Sequence, residues 1–81
     1  MLSVEKVKTW LEQGLPEAKI RVEGDGSHFY ATIISSDFAG QSLLQRQRKV
    51  YAALGNKMHT EIHALSMLTY TPDEVPEHER F

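Results

Sequence analysis

The strongest constraint on the fold is a hairpin pattern in residues 18–35. The stretch AKIRVEG alternates apolar and polar side chains, which is typical of a strand with one buried face. The EGDGS that overlaps its end supplies two glycines and an aspartate, residue types that accept the backbone conformations of a tight turn. The run HFYATIIS then returns as a second β-prone stretch. We therefore predict an antiparallel hairpin whose returning strand buries Phe29, Ala31 and Ile33.

Helical patterns flank this hairpin on both sides. Residues 3–13 carry apolar side chains at helical spacing, and Ser3 is placed to cap the first turn. A second helix is predicted to begin at Ser42, because Ser42 and Gln45 have the spacing of a capping box, and to end at Gly55. Its buried side is predicted to consist of five residues, Leu43, Leu44, Val50, Tyr51 and Leu54.

A third strand is predicted in the run IHALSMLTY, residues 62–70. Its alternation puts Ser66 and Leu68 on one face and Leu65 and Met67 on the other. Neither face is polar, so we expect the strand to be covered on most of both sides or to border a partner surface. Because it follows a helix, it can run parallel to its neighbour and complete a mixed three-stranded sheet. The TPDE that follows has the cap, proline and acids of a short final helix, limited by Pro76.

The length and composition fit one small globular domain spanning residues 1–81. The element order predicts an α+β architecture with helices on one face of the sheet. Much of the negative charge lies in an acidic tail from about residue 71, so the rest of the chain is close to neutral and is not a strong nucleic-acid binder by charge alone. We expect no membrane span, since no apolar run approaches the ~18 residues required. A mixed-charge start without signal-peptide character and the absence of cysteine favour a cytoplasmic location.

Known catalytic motifs are missing from the sequence or fail on spacing. In HTEIH, residues 59–63, the glutamate does not directly follow the first histidine, as a zinc-protease helix requires. The chain has no G-x-S-x-G elbow and no phosphate-binding loop. EGDGSH lacks the third glycine and the following helix of a dinucleotide-binding turn. The sequence therefore favours a protein that is not an enzyme.

The second predicted helix carries a group of basic side chains. Such a group could follow the phosphates of a nucleic acid or contact an acidic partner. The alternative, which the near-neutral charge of the rest of the chain favours, is the solvated side of an amphipathic helix. Both interpretations stay open for the four residues concerned, Arg46, Arg48, Lys49 and Lys57.

Two of the four histidines can be brought together by the predicted topology. His28 borders the hairpin loop and His63 begins the third strand, so both could face one edge of the sheet if that strand starts near the hairpin. Two imidazoles are too few for a closed metal site, and the chain has no cysteine. A metal at this edge would therefore need thiolates from a second molecule. The other histidines, His59 and His78, are expected to be exposed and inert.

Two long stretches of the sequence resemble a known family. FAGQSLLQRQRKVYAAL, followed by IHALSMLTYTPDE, is similar to the pattern of the BolA-like proteins, and the similarity extends over nearly the whole chain. The chain looks most like the short bacterial branch that carries a histidine in the hairpin loop. The resemblance implies a class II KH-like fold with the order α-β-β-α-α-β, which agrees with the elements predicted above.

The resemblance also implies a function and a set of ligands. BolA-like proteins are non-enzymatic partners of monothiol CGFS-type glutaredoxins, and such pairs share a [2Fe–2S] cluster. The glutaredoxin cysteine and glutathione supply thiolates, while the BolA-like protein supplies His63 and a loop residue that corresponds to His28. The implied role is iron–sulfur cluster trafficking or iron and redox sensing. The chain alone is expected to hold no cluster and to be a monomer or weak homodimer.

A second role implied by the resemblance is nucleic-acid binding and transcriptional control in the stress response. KH domains hold the nucleic-acid backbone with a G-x-x-G loop between helices. The matching turn here, GNKM, contains only Gly55. We therefore expect weak DNA binding at most, through the basic residues of the second helix.

Overall fold

The computed structural model describes residues 2–57 and 65–81, which contain both helices and strands. The predicted α+β class is confirmed. The α-β-β-α-α-β order fits the structure, although residues 58–64, between the second helix and the last strand, lie outside the described residues. Two short 3₁₀ turns accompany the longer elements. In chain order these are α1 (Val4–Gly14), β1 (Lys19–Gly24), β2 (Phe29–Ile34), a 3₁₀ turn (Ser36–Phe38), α2 (Leu43–Leu54), β3 (Leu65–Tyr70) and a 3₁₀ turn (Glu77–Glu79).

The three strands form one mixed sheet in the order β1-β2-β3, as predicted. β1 and β2 are antiparallel, with Glu23 opposite Tyr30. β2 and β3 are parallel, with Phe29 opposite Leu65. Because parallel strands start at the same end of a sheet, the described start of β3 lies beside the hairpin loop that precedes β2.

The core lies between the two helices and one face of the sheet. β2 contributes Phe29, Ala31 and Ile33, as its alternation predicts, and each is at most 2% exposed. α1 begins at the predicted cap, where Ser3 Oγ accepts from the backbone N–H of Lys6 at 3.2 Å. The two helices approach closely, since a Cβ added to Gly14 would lie 2.5 Å from the Cβ of Ala53. The helices contribute Val7, Leu11, Val50 and Leu54, and Phe38 completes the fully buried set.

The buried side of α2 is narrower than the sequence pattern predicts. The capping box of Ser42 and Gln45 is present, and Val50 and Leu54 are buried. The prediction is wrong for Leu43, Leu44 and Tyr51, which are 63%, 55% and 41% exposed. Tyr51 follows the buried Val50 by one residue, and one residue rotates the side chain by about 100° around the helix axis. Leu43 lies in the first turn, and the inward position one turn later is occupied by the guanidinium of Arg46.

The acidic C-terminal segment folds back over the second face of the sheet. The predicted final helix is replaced by a turn in which Glu74 N–H donates to the carbonyl oxygen of Thr71 at 3.0 Å. Pro76 explains the difference, because it has no N–H to continue a helix. Thr32 and Ile34 are each 6% exposed although they do not face the helices. No helix in residues 2–57 or 65–81 is long and apolar enough to cross a membrane.

Candidate functional site

The hairpin loop fixes the backbone of His28. The side chain of Asp25 accepts from the N–H groups of Ser27 and His28, both at 2.9 Å. The N–H of Asp25 in turn donates to the carbonyl oxygen of His28 at 3.3 Å. This closure requires glycine at position 24, because a Cβ there would lie 2.3 Å from the His28 oxygen. His28 therefore enters β2 from a hydrogen-bonded hairpin turn, as the EGDGS pattern predicts.

The imidazole of His28 lies beside the start of β3. Its Nε2 is 3.1 Å from the hydroxyl oxygen of Ser66, and its ring centroid is 4.5 Å from that of Tyr30. His28 is partly exposed, and Tyr30 is 55% exposed. The imidazole thus links the loop to the edge strand while remaining accessible. Either ring nitrogen can ligate a metal when deprotonated, Nε2 only after leaving Ser66.

The same loop perturbs the titration of its aspartate. The N–H of His28, followed by that of Ser27, stabilises the carboxylate and holds the pKa of Asp25 below its usual value. Asp25 therefore stays ionised at any pH above its lowered pKa, and its carboxylate keeps both hydrogen bonds to the loop.

The second predicted ligand, His63, lies outside the described residues, as does His59. Within the described ranges, no group of three or more His, Cys, Asp or Glu side chains is arranged to hold a metal ion. His28 alone offers one imidazole, and the chain has no cysteine. The donor set of this end of the sheet suits a shared cluster only if most ligands come from another molecule.

Arg46 does not belong to an open basic surface. Its side chain is only 11% exposed. Its Nε donates to the Gln41 carbonyl at 3.0 Å, and Nη1 donates to the Thr69 carbonyl at 3.2 Å. Both outer nitrogens contact Glu74, and the guanidinium carbon lies 5.8 Å from the centroid of the Phe38 ring. The expectation that α2 exposes Arg46 is therefore wrong, because this side chain joins α2 to the end of β3.

The Arg46–Glu74 pair shifts both titrations toward the charged forms. The Arg46 hydrogen bond, helped by the N–H of Thr71, lowers the pKa of Glu74 to about 2. The Glu74 hydrogen bond raises the pKa of Arg46. Both groups are charged throughout the physiological range, so the pair is not a proton switch near neutral pH.

The other three predicted basic residues are placed differently from one another. Arg48 is exposed, and Lys49 is partly buried. The ammonium of Lys57 lies 5.4 Å from the centroid of the Trp10 ring, which is within the range of a cation–π contact. The solvated-face interpretation therefore fits Arg48 best among the four.

A second basic group was missed by the sequence analysis. Lys19 and Arg21 lie on the sheet face opposite the helices and contact the C-terminal segment. The sequence shows both the alternating cations of β1 and the acidic tail. Their opposite charges were the signal from which a contact between them could have been predicted. No comparable signal pointed to Ser66 as the neighbour of His28.

Comparison with known proteins identifies the family. The sequence model described as BolA-like protein matches residues 6–74. The chain belongs to the BolA-like family. A solved bolA protein homologue from Coxiella burnetii superposes with a TM-score of 0.85 at 48% identity, covering 99% of this chain and 100% of that one. The resemblance that the sequence suggested is thereby confirmed, while the assignment to the short bacterial branch stays a prediction.

Two relatives from Escherichia coli carry different names. The acid stress protein IbaG is 34% identical over 70 residues, which cover 85% of this chain and 83% of IbaG. The DNA-binding transcriptional regulator BolA is 39% identical over 51 residues, which cover 63% of this chain. The chain therefore matches only about half of BolA's length (49%) and about a third (32%) of the chloroplastic BOLA1 of Arabidopsis thaliana.

Proposed function

We propose that the chain is a non-enzymatic adaptor that pairs with a monothiol CGFS-type glutaredoxin and shares a [2Fe–2S] cluster with it. The cluster is cargo or signal, in iron–sulfur trafficking or in iron and redox sensing. His63 and His28 are the proposed ligands of this chain, and the partner's cysteine and glutathione supply the thiolates. Family membership supports the proposal, since the resemblance that implied this role is the one that the comparisons bear out.

The observation that carries the proposal is the position of His28 at the common starting end of β2 and β3. The imidazole is accessible and contacts only a hydroxyl and an aromatic ring among its described polar and ring neighbours, so a stronger ligand interaction can replace them. β3 is an edge strand, and His63 precedes its first described residue, Leu65, by two positions in the sequence. A partner docked at this end would meet the loop that carries His28 and the described start of β3, which the His63 segment precedes in the sequence.

Imidazole ligation gives the shared cluster a distinct spectrum and potential. Replacing two thiolates by histidines on one iron raises the reduction potential, as in Rieske centres. A chain without cysteine cannot anchor a cluster through thiolates of its own. The proposal therefore requires that the purified chain be colourless and that the glutaredoxin complex be coloured.

The deciding experiment is a visible absorption and circular dichroism titration. A CGFS glutaredoxin is loaded with a [2Fe–2S] cluster and glutathione, and the chain is added to equimolarity. The proposal expects the spectrum to change and to saturate at one chain per glutaredoxin. An unchanged spectrum, or a stoichiometric iron–sulfur chromophore in the chain alone, contradicts it.

Histidine variants separate ligand from scaffold. His63→Gln keeps size and polarity but is a poor iron ligand, so it should abolish or alter the mixed-cluster spectrum while the fold and the glutaredoxin contact persist. His28→Gln should act more mildly, since a loop ligand is more replaceable. His78→Gln is the matched control, because the His78 side chain is 80% exposed and lies in the C-terminal segment. If His63→Gln and His78→Gln behave alike, His63 is not a ligand.

Nucleic-acid binding is the second candidate function, favoured by the name of the Escherichia coli relative BolA. The geometry of α2 weakens it, because Arg46 is held by Glu74 and by two carbonyl groups. Arg48, Lys49 and Lys57 are the residues left to contact phosphates, and we expect weak, strongly salt-dependent binding. Sequence-selective nanomolar binding near physiological salt would make this the first candidate. Replacing all three by Gln should then weaken binding to every sequence alike.

A further inference from the structure

The sheet face opposite the helices is occupied by the chain's own C-terminal residues 77–81, here called the C-terminal strap. Its anchor is Glu79, whose side chain is 18% exposed and whose Oε2 accepts from Arg21 Nη2 at 2.5 Å. The same oxygen is 3.5 Å from the hydroxyl of Thr32. Arg21 and Thr32 are opposite each other on β1 and β2, so the carboxylate sits over a cross-strand pair.

An aromatic residue two positions after this carboxylate makes the second contact. The guanidinium carbon of Arg21 lies 4.9 Å from the centroid of the Phe81 ring. Lys19 Nζ donates to the main-chain oxygen of Phe81 at 2.8 Å. The strap also borders a cavity of about 460 Å³ that is lined in part by Ile34 and Val75. This face therefore binds a carboxylate and an aromatic ring two residues apart.

The strap does not use all of the binding capacity of Arg21. Glu79 contacts only Nη2, while Nε is buried and makes no hydrogen bond among the described residues, only a longer ion pair with Glu23 Oε1 at 3.5 Å. Arginine and carboxylate groups often pair through two parallel hydrogen bonds, which are stronger than one. Phe81 is 42% exposed. A segment of the same chemistry with a freer backbone could thus bind this face better than the strap does.

We propose that this face is a recognition site for a partner peptide with a carboxylate two residues before an aromatic ring, and that the strap occupies it in cis. The proposal goes beyond the cluster-sharing function and uses other residues. Tethering gives the strap a high effective concentration, in the millimolar range for short linkers. Such a strap blocks weak peptides and yields to a partner segment that binds tightly or is delivered by a docked protein.

The test uses the full chain and a fluorescent peptide, VPEHERF, which copies residues 75–81 and is amidated so that no terminal carboxylate contributes. The double variant Glu79→Gln/Phe81→Ala opens the strap. Fluorescence anisotropy should show that this variant binds the peptide about tenfold or more tightly than the unaltered chain. Glu77→Gln is the matched control, because the Glu77 side chain is 97% exposed, and it should bind as weakly as the unaltered chain.

Two further measurements assign the binding to Arg21. Adding Arg21→Gln to the opened variant should reduce peptide affinity by about tenfold, the loss expected for a charge-assisted contact. A peptide with Gln and Ala in place of its second Glu and its Phe should bind no better than background. The proposal is overturned if the opened variant is folded, as judged by circular dichroism, but does not bind the peptide. It is also overturned if the opened variant binds the peptide equally well with and without Arg21.

Two other outcomes also decide the question. If the double variant does not fold, Phe81→Ala alone removes the ring and leaves the Glu79–Arg21 pair, and the proposal then requires intermediate peptide affinity. Failure of this single variant to exceed the unaltered chain overturns it. If the opened variant prefers an oligothymidylate to the peptide, the face binds polyanions, and the peptide proposal is wrong.

Discussion

Arg46 and Glu74 form a two-point ion pair, with contacts of 2.6 and 3.1 Å, that joins α2 to the turn after β3. The guanidinium also bonds the carbonyl oxygens before α2 and at the end of β3. Arg46 therefore joins the start of α2 to the end of β3 and the turn after it, which lie 23 and 28 residues away in the sequence. Arg48, two residues later in the same helix, is exposed and takes no such part.

We expect Arg46→Gln to lower the melting temperature by several degrees. The variant loses the ion pair and leaves the carbonyl oxygen of Thr69 without its described donor, and a polar group that loses its partner costs stability. Thermal unfolding followed by circular dichroism measures the change. Arg48→Gln is the control and should unfold like the unaltered chain. Equal melting temperatures for the two variants would show that the Arg46 network contributes nothing.

The low pKa of Glu74 predicts a pH dependence of stability. A carboxyl whose pKa is about 2 in the folded state, against an ordinary value of 4.5, stabilises the fold above that ordinary value and loses this contribution as the pH falls toward 2. The stability difference between the unaltered chain and Glu74→Gln should therefore be constant near neutrality and shrink below about pH 4.5. Salt should reduce it, since the Glu74 side chain is 47% exposed. Urea unfolding at several pH values provides the measurement, and a difference that persists unchanged at low pH contradicts the assignment.

Gly24→Ala should lower the free energy of unfolding by more than the strain of a positive backbone φ alone would. A Cβ at this position lies 2.3 Å from the His28 oxygen, whereas Gly40, also with positive φ, has nothing within 4 Å of its Cβ position. Gly40→Ala should thus lower the free energy of unfolding by about 1–2 kcal/mol, the cost of a left-handed residue. Gly24→Ala should exceed that value and shift the ring resonances of His28. Equal costs would mean that the hairpin loop relaxes freely around the added methyl group.

Because the buried side of α2 is narrow, replacing two leucines of this helix by alanine should have very different effects on stability. Leu54 is 1% exposed and Leu43 is 63% exposed. Leu54→Ala should lower the free energy of unfolding by about 2–5 kcal/mol, because it leaves a cavity in the core. Leu43→Ala should change it by no more than about 0.5 kcal/mol. Urea denaturation of both variants measures these changes. A large loss of stability for Leu43→Ala would instead support the broader buried face that the sequence pattern predicts.

The elements that depend on local chemistry were predictable from the sequence. Ser3, the capping box of Ser42 and Gln45, and the glycines of the hairpin act within a few residues, and each was found where the pattern predicts it. The parallel pairing of β3 followed from its helical connection. The exposed leucines of α2 were not predictable, because helical periodicity identifies an apolar side but not the length over which a neighbour covers it.

The candidate site was predictable in part. The sequence placed His28 in the loop, and the register puts the described start of β3 beside it. The sequence could not show that Arg46 pairs with Glu74 instead of facing solvent, because the two residues are 28 positions apart. Nor could it show that the acidic tail lies on Lys19 and Arg21, since such contacts depend on tertiary structure.

The hydrogen bond from Arg46 to Thr69 affects whether the edge strand β3 can pair with a strand of another molecule. Alternate residues of a strand direct their main-chain groups to opposite sides. Tyr70 accepts from Ser35, on the β2 side, so the main-chain groups of Thr69 and Thr71 point outward. Arg46 binds the outward oxygen and Glu74 binds the outward N–H of Thr71 at 3.0 Å. With these two outward groups occupied, the C-terminal end of β3 is a poorer template for a strand from another copy, so this pair protects that end from intermolecular sheet growth.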